Sequence, residues 1–205
     1  LQDPGRPLPG DIVALTGLND ADLAGRRIDW TDVRQRLDGA ALVIAHNARF
    51  DRGFVDRVLP GPPPRHVWAC SASQLDWETC GSPSRSQEVL EVWHGWFALR
   101  AHRALDDADN LLFLLEHAGR LAELYRNATT PWFRLRALNS AYETKDLLKA
   151  RGYRWDGEGR CWWTELPTET AAQEEVVWAT SAVYGGRFRG DLTRLEAWQR
   201  FLAVR

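Results

Sequence analysis

Ala40-Ala41-Leu42-Val43-Ile44-Ala45 is apolar at every position. A strand without polar alternation is stable where helices cover both faces of its sheet, so this run predicts an α/β layer fold. Helix signals bracket it. Thr31 is the expected N-cap of a helix over 32–37, and Gly39 its expected left-handed stop. After the strand, His46-Asn47-Ala48-Arg49-Phe50-Asp51 reads as a strand end followed by a helix start with Asp51 in its first turn. That position projects the carboxylate over the strand's C-terminal edge, where sites sit in open α/β sheets.

Elsewhere the elements are marked by breakers and periodicity. Pro4, Pro7, Pro9 and Gly10 make the opening extended or turn-like, Asp11 to Leu15 is a short apolar run, and Asn19 or Asp20 caps a short helix ending near Gly25. Pro60-Gly61-Pro62-Pro63-Pro64 excludes helix and central strand for want of backbone donors. From Leu105, the residues Ala108, Leu111, Leu112, Leu115 and Ala118 form one apolar helical stripe. Arg126 to Pro131 breaks that pattern, and a tryptophan-rich segment follows. The expected domains are therefore 1–126 and 131–205. The second should hold a helix over 141–150 stopped by Gly152, two aromatic strands flanking Asp156-Gly157-Glu158-Gly159, and a helix over 169–184.

With 205 residues, 44% of them hydrophobic, the chain can build one ordinary domain and a smaller one. No run approaches the roughly 18 to 20 apolar residues of a membrane span, so the expectation is a soluble, cytoplasmic protein with no membrane partner. Cys70, Cys80 and Cys161 have neither zinc spacing nor a disulfide framework and read as free thiols. A formal charge of −2 is not the footprint of tight, sequence-independent nucleic-acid binding, yet it leaves room for a nuclease, whose cation-holding carboxylates make the site acidic. Lys145 and Lys149 are the only lysines, and the arginine bias runs along the whole chain, as genome composition would produce. There is no methionine, and the opening at Leu1 reads as a cut.

Metal-assisted phosphodiester hydrolysis needs carboxylates that hold divalent cations about 3.5 to 4 Å apart and a base for the attacking water. Asp51 is one candidate. The second cluster is His102-Arg103-Ala104-Leu105-Asp106-Asp107-Ala108, opening the long helix. His102 and Asp107 would lie roughly 140° apart on a helix, so a shared site puts His102 on the preceding loop and Asp107 on the inward face. A loop histidine suits a general base. Asp106 is expected to face solvent, and His46, His66, His94 and His117 to be structural or surface groups.

The strings A-H-N-x-x-F-D and H-R-A-x-x-D-A resemble the DEDD exonucleases of the histidine-containing branch, a family that includes the epsilon proofreading subunit of bacterial DNA polymerase III. Pro4 to Asp20 is similar to the family's lead into its second motif, Trp68 to Trp77 to the connection toward its third, and Lys145 to Trp155 to an appendage of one bacterial group. The resemblance implies a ribonuclease H-like α/β fold missing its first strands, plus a small α+β C-terminal appendage. It implies metal ligands at Asp51 and Asp107, a general base at His102, substrate contact at Asn47 and two magnesium or manganese ions. The implied reaction is removal of nucleotides from single-stranded or frayed DNA 3′ ends, with a polymerase or repair complex as partner. RNA trimming and a non-catalytic nucleic-acid or polymerase-binding module are the alternatives.

The family's first motif, Asp-x-Glu, is expected several tens of residues before Pro4, which would leave this chain with little or no activity. Leu75-Asp76-Trp77-Glu78-Thr79-Cys80-Gly81 looks like that motif but follows the second one, so it is expected to be a decoy. The hairpin with Trp155, Trp162, Trp163, Arg154 and Arg160 could stack single-stranded bases, although a small domain also needs such rings for its core.

Overall fold

A prolyl opening gives way at Gly10 to the first helix in the structure, a computed structural model that describes residues 1–62, 64–97 and 104–202. The fold is mixed α/β, and the chain divides into two units, Leu1–Asn127 and Ala128–Arg205. In the first, α1 (Gly10–Thr16) uses the run from Asp11 to Leu15, with none of its residues buried. α2 (Asp20–Leu23) is capped by Asn19, whose side chain accepts from the Ala21 and Asp22 N–H groups while Asp22 reaches back to the Asn19 N–H.

α3 (Trp30–Asp38) departs from expectation at both ends. Its cap is Asp29, which accepts from the Thr31 and Asp32 N–H groups, so Thr31 lies inside the helix. Gly39 stays right-handed at φ −84°, because its N–H already meets the Gln35 carbonyl and the Ala40 N–H meets that of Leu37 without the left-handed turn. β1 (Val43–Ala45) uses only half of the apolar run and is half-buried. α4 (Ala48–Val58) carries the chain to the fully buried β2 (Trp68–Cys70), which pairs parallel to β1 from Val43 opposite Trp68 to Ala45 opposite Cys70. β1 is less buried than its sequence suggests because it has one strand neighbour among the described residues, and Ile44 and Ala45 border an open cavity.

α5 (Ser71–Gln74) and α6 (Gln87–Trp93) lead to α7 (Ala104–His117) and then α8 (Leu121–Thr129). On α7 the buried set is Leu111, Leu114 and Leu115, whereas Leu105 is 72% and Leu112 51% exposed. The expected stripe is therefore displaced: Ala108, Leu111, Leu112 and Leu115 line the cavity, and burial shifts toward Leu114. α8 continues to Thr129, through the polar residues that read as a break. No helix of the described residues is long and apolar enough to cross a membrane.

The second unit is a four-stranded antiparallel sheet in the order β4-β5-β3-β6, formed by β3 (Trp132–Ala137), β4 (Arg154–Asp156), β5 (Cys161–Leu166) and β6 (Asp191–Leu195). A 3₁₀ turn over Tyr142–Thr144 and α9 (Lys145–Ala150) make the expected helix, which ends at Gly152 with φ 89°. α10 (Glu169–Ala182) is capped by Thr168 and packs on β3 and β5, and Leu148 of α9 joins the same core. Leu135, Ala137, Leu148, Tyr153, Ala179 and Val183 are the buried core there. Arg151 and the Tyr153 hydroxyl both meet the buried Glu175 carboxylate, at 2.9 and 3.1 Å, and hold α10 to the turn after α9. β3 and β6 were not anticipated, although Leu135 and Ala137 alternating with Arg134 and Arg136 is a period-two signal.

Gly190 enters β6 where a Cβ would collide with the main-chain oxygen of Arg136 and the Phe188 ring. The Arg136 carbonyl belongs to the sheet and cannot give way. Gly190→Ala is expected to destabilise this unit by about 1–3 kcal/mol, as overpacking does. A urea midpoint equal to wild type would refute it.

Candidate functional site

α4 begins almost where β1 stops, so His46 and Asn47 make the whole connection. Asn47 turns the corner at φ 77° and ψ 48°, a left-handed conformation that asparagine adopts more readily than most residues. Its carbonyl accepts the Phe50 N–H at 2.9 Å, while its side chain does not cap the helix. This tight corner points the first turn of α4, with Asp51, along the end of β1.

His46 latches the corner. Its Nε2 lies 2.8 Å from the Arg85 carbonyl and its Nδ1 2.8 Å from the Ser71 hydroxyl. A carbonyl only accepts, so Nε2 carries the hydrogen and the Ser71 hydroxyl donates to Nδ1 of the neutral ring. Burial holds the imidazole below its usual value of 6.5, against a smaller opposing effect of the Arg85 carbonyl. Protonation is thus harder in the folded than the unfolded chain: this contribution is complete above the unfolded value and is lost as pH falls from there toward the folded one. The thermal midpoint is expected to drop between pH 7.5 and 5 partly through His46, and His46→Asn should flatten the slope. An equally steep slope in the variant would remove His46 from the account.

Asp51 and Asp107 line one cavity of about 890 Å³, together with His46, Phe50, Glu88 and Glu91. The two motifs, 56 positions apart in the chain, thus meet at the end of β1. Burial raises the Asp51 carboxyl above its ordinary value, and Asp51 makes no ion pair among the described residues. Burial also raises Glu91, with the nearby Asp107 and Glu88 charges adding to it. Carboxylates dehydrated without a facing cation are costly to ionise, and a divalent cation would restore what burial removes. Asp51 and Asp107 fit such an ion as two of its ligands. No group of three or more His, Cys, Asp or Glu side chains among the described residues is arranged to hold a metal, so these two carboxylates do not close a site by themselves.

Gln87, absent from the sequence expectations, fixes the start of α7. Its amide nitrogen donates to the Asp107 carbonyl at 2.8 Å and to Glu91 Oε1 at 2.9 Å. Glu91 was missed as well; the available signal is a carboxylate one helical turn from Gln87 and beside Leu90, on the buried arc of α6. His102 lies outside the described residues. Asp106 is half-buried rather than solvent-facing, because it sits on the flank of α7 beside Asp107, and it does not line the cavity.

Asp76 and Glu78 are used elsewhere. Asp76 accepts the Glu78 and Thr79 N–H groups at 3.1 and 3.3 Å, and Glu78 pairs with Arg85 at 2.9 Å. Neither lines the cavity. The other histidines are structural: His66 meets Asp38 at 2.7 Å, His94 packs on Trp77 and His117 stacks on Phe113. In the hairpin, Trp163 is buried beneath Arg134 and Arg154, which removes it from any stacking surface, while Trp155 stays exposed.

No protein-family model matches the chain, and no curated protein does. Among solved structures the chain is similar to exonuclease X in complex with 5′-overhanging duplex DNA, at 28% identity over 60% of this chain and 75% of that one, with a TM-score of 0.43.

Proposed function

We propose that this chain belongs with the 3′-5′ exonucleases of the DEDD type and acts on DNA 3′ ends. The observation that carries the reading is the meeting of Asp51 and Asp107 in one cavity at the end of β1, from two motifs that independently resemble that family. Asp51 and Asp107 would contribute ligands to two divalent cations, Mg²⁺ or Mn²⁺, which would supply an activated water and neutralise developing phosphate charge. Asn47, held left-handed beside the cavity, would contact the terminal nucleotide, and His102 would take the proton from water. The Gln87 amide keeps Asp107 in place through its main chain. The substrate is a single-stranded or frayed end, since a terminal phosphodiester must reach the cavity.

With Asp51 and Asp107 as the assigned ligands and no third His, Cys, Asp or Glu arranged beside them to hold a metal among the described residues, the chain by itself is expected to hydrolyse slowly or not at all. The units also correspond to domains in this proposal, the second being a module of its own with no catalytic carboxylate. RNA trimming by the same site is the second reading, since the motifs do not distinguish sugars.

The test is incubation with 5′-labelled single-stranded DNA or RNA and Mn²⁺. At most slow shortening from the 3′ end is expected, lost in Asp51→Asn, Asp107→Asn and His102→Ala. Shortening from the 5′ end, internal nicking, or 3′ shortening indifferent to these substitutions would overturn the proposal. So would a complete lack of shortening combined with wild-type Mn²⁺ binding by Asp51→Asn.

A further inference from the structure

Three loops of the second unit come together at one end of its sheet. β3 leaves the sheet after Ala137, which lies opposite Trp162; β4 and β5 are joined by the turn over 157–160; and β6 enters at Asp191, opposite Arg136. The register therefore gathers residues 138–140, 157–160 and 186–190. Contacts tie them further. The Tyr184 hydroxyl donates to the Leu138 carbonyl at 2.7 Å, and the Tyr184 ring stands edge-on to Phe188 at 5.7 Å.

These loops carry three arginines, Arg160, Arg187 and Arg189, against one acidic residue, Glu158. All three arginines are exposed and none makes an ion pair among the described residues. The carboxylates at the adjoining strand ends are engaged, Asp191 with Arg136 at 2.9 Å and Asp156 with the Glu158 N–H at 3.1 Å. Arg160 is also held at φ 47°, which fixes the hairpin tip in a left-handed turn.

Aromatic rings run up to the same end. Trp162, Tyr184 and Phe188 pack against the core of the unit, and Trp155 extends that row outward, edge-on to Trp162 at 5.5 Å and 53% exposed. The core does not account for Trp155, since half of the indole stays in water. Guanidinium groups without carboxylate partners suit phosphate oxygens, and an exposed indole offers a face to a base. Only an unpaired base has a free face to return.

We propose that this end of the C-terminal sheet binds a single-stranded polynucleotide, with Arg160, Arg187 and Arg189 on the phosphates and Trp155 stacked on a base. The preference for a polynucleotide over another polyanion rests in part on the nuclease reading. The surface itself is independent of the Asp51 cavity and needs no metal.

The experiment measures anisotropy of fluorescein-labelled oligo(dT) and oligo(U) with the full chain, in EDTA and at several salt concentrations. Trp155→Ala is expected to weaken binding roughly tenfold, as loss of one stacked base does. The double variant Arg187→Gln/Arg189→Gln should lower the slope of log affinity against log salt by about 1.4, because each single-strand phosphate that a guanidinium neutralises contributes about 0.7. A duplex of the same length should bind more weakly and ignore Trp155→Ala. Circular dichroism verifies folding, and Trp155→Phe should retain most of the affinity. Unchanged affinity and salt slope in the folded variants would overturn the proposal, as would anionic phospholipid vesicles binding as tightly with the same arginine dependence. Because EDTA removes the cations, loss of binding in Trp155→Ala would stand even if Asp51→Asn showed the nuclease reading to be wrong.

Discussion

Asp51→Asn is expected to weaken Mn²⁺ binding by roughly a hundredfold, since even loss of a partner behind a ligand costs about 10- to 100-fold. The same substitution should raise the thermal midpoint of the metal-free chain at pH 7. Burial holds the Asp51 carboxyl above its usual value, so the folded state binds a proton more readily than the unfolded one. Wild-type stability therefore falls as pH rises through the interval between the unfolded and folded values and stays lower at neutral pH. Asparagine keeps the shape without that ionisation penalty. A carboxylate in the first turn of α4 also gains from the helix N-terminus, about 0.3–1 kcal/mol, and from its own backbone N–H, whose opposing effect is smaller than that of burial. Titration of Mn²⁺ followed by electron paramagnetic resonance, beside thermal melts in EDTA, separates the two effects. A variant that melts lower and binds Mn²⁺ normally would make Asp51 a helix-capping carboxylate.

Trp77→Ala should be the most damaging single change to the first unit, at about 3–5 kcal/mol, the usual range for deleting a buried large aromatic. Trp77 is 0% exposed, its Nε1 donates to the Ser71 carbonyl at 2.8 Å, and Arg120 lies 5.3 Å above its ring while bonding the Asp76 carbonyl. His94 meets the ring edge-on. Domains are stable by only about 5–15 kcal/mol, so this loss removes a large share. The damage should also reach the site, because Ser71 accepts from Trp77 through its carbonyl and donates to His46 through its hydroxyl. Urea denaturation gives the stability change, and a loss below about 1 kcal/mol would mean that the surroundings close over the cavity. Within Leu75 to Gly81, the string that looks like an Asp-x-Glu motif, Trp77 thus has a structural part as a buried staple of this unit.

Much of the local structure was legible because its causes are local. The Asn19 cap, the prolyl loop, the strand before His46, the start of α4 and the stop at Gly152 each follow from one or a few neighbouring residues. Where two local solutions compete, the outcome depended on geometry a sequence does not display. Asp29 displaced Thr31 as the cap of α3, and Gly39 closed that helix without a left-handed turn. α7 shows a different limit. Its apolar residues span an arc wider than the surface available to cover them, so the periodicity identified the helix but not which leucines would be buried. Phe50 is similar, apolar yet 74% exposed beside the cavity.

The sequence by itself determined that two carboxylate motifs exist, that one follows an apolar strand and the other opens a long helix, and that an aromatic, arginine-bearing module follows. These are properties of composition and spacing over stretches of ten residues or so. Only the tertiary structure decided that Asp51 and Asp107 share a cavity, that Gln87 and Glu91 stand behind Asp107, that Asp76 and Glu78 turn elsewhere, and that the β4–β5 turn and the loop before β6 bring Arg160, Arg187 and Arg189 to one end of the sheet. Each depends on contacts between residues far apart in the chain, set by how strands pair and helices pack rather than by any local preference.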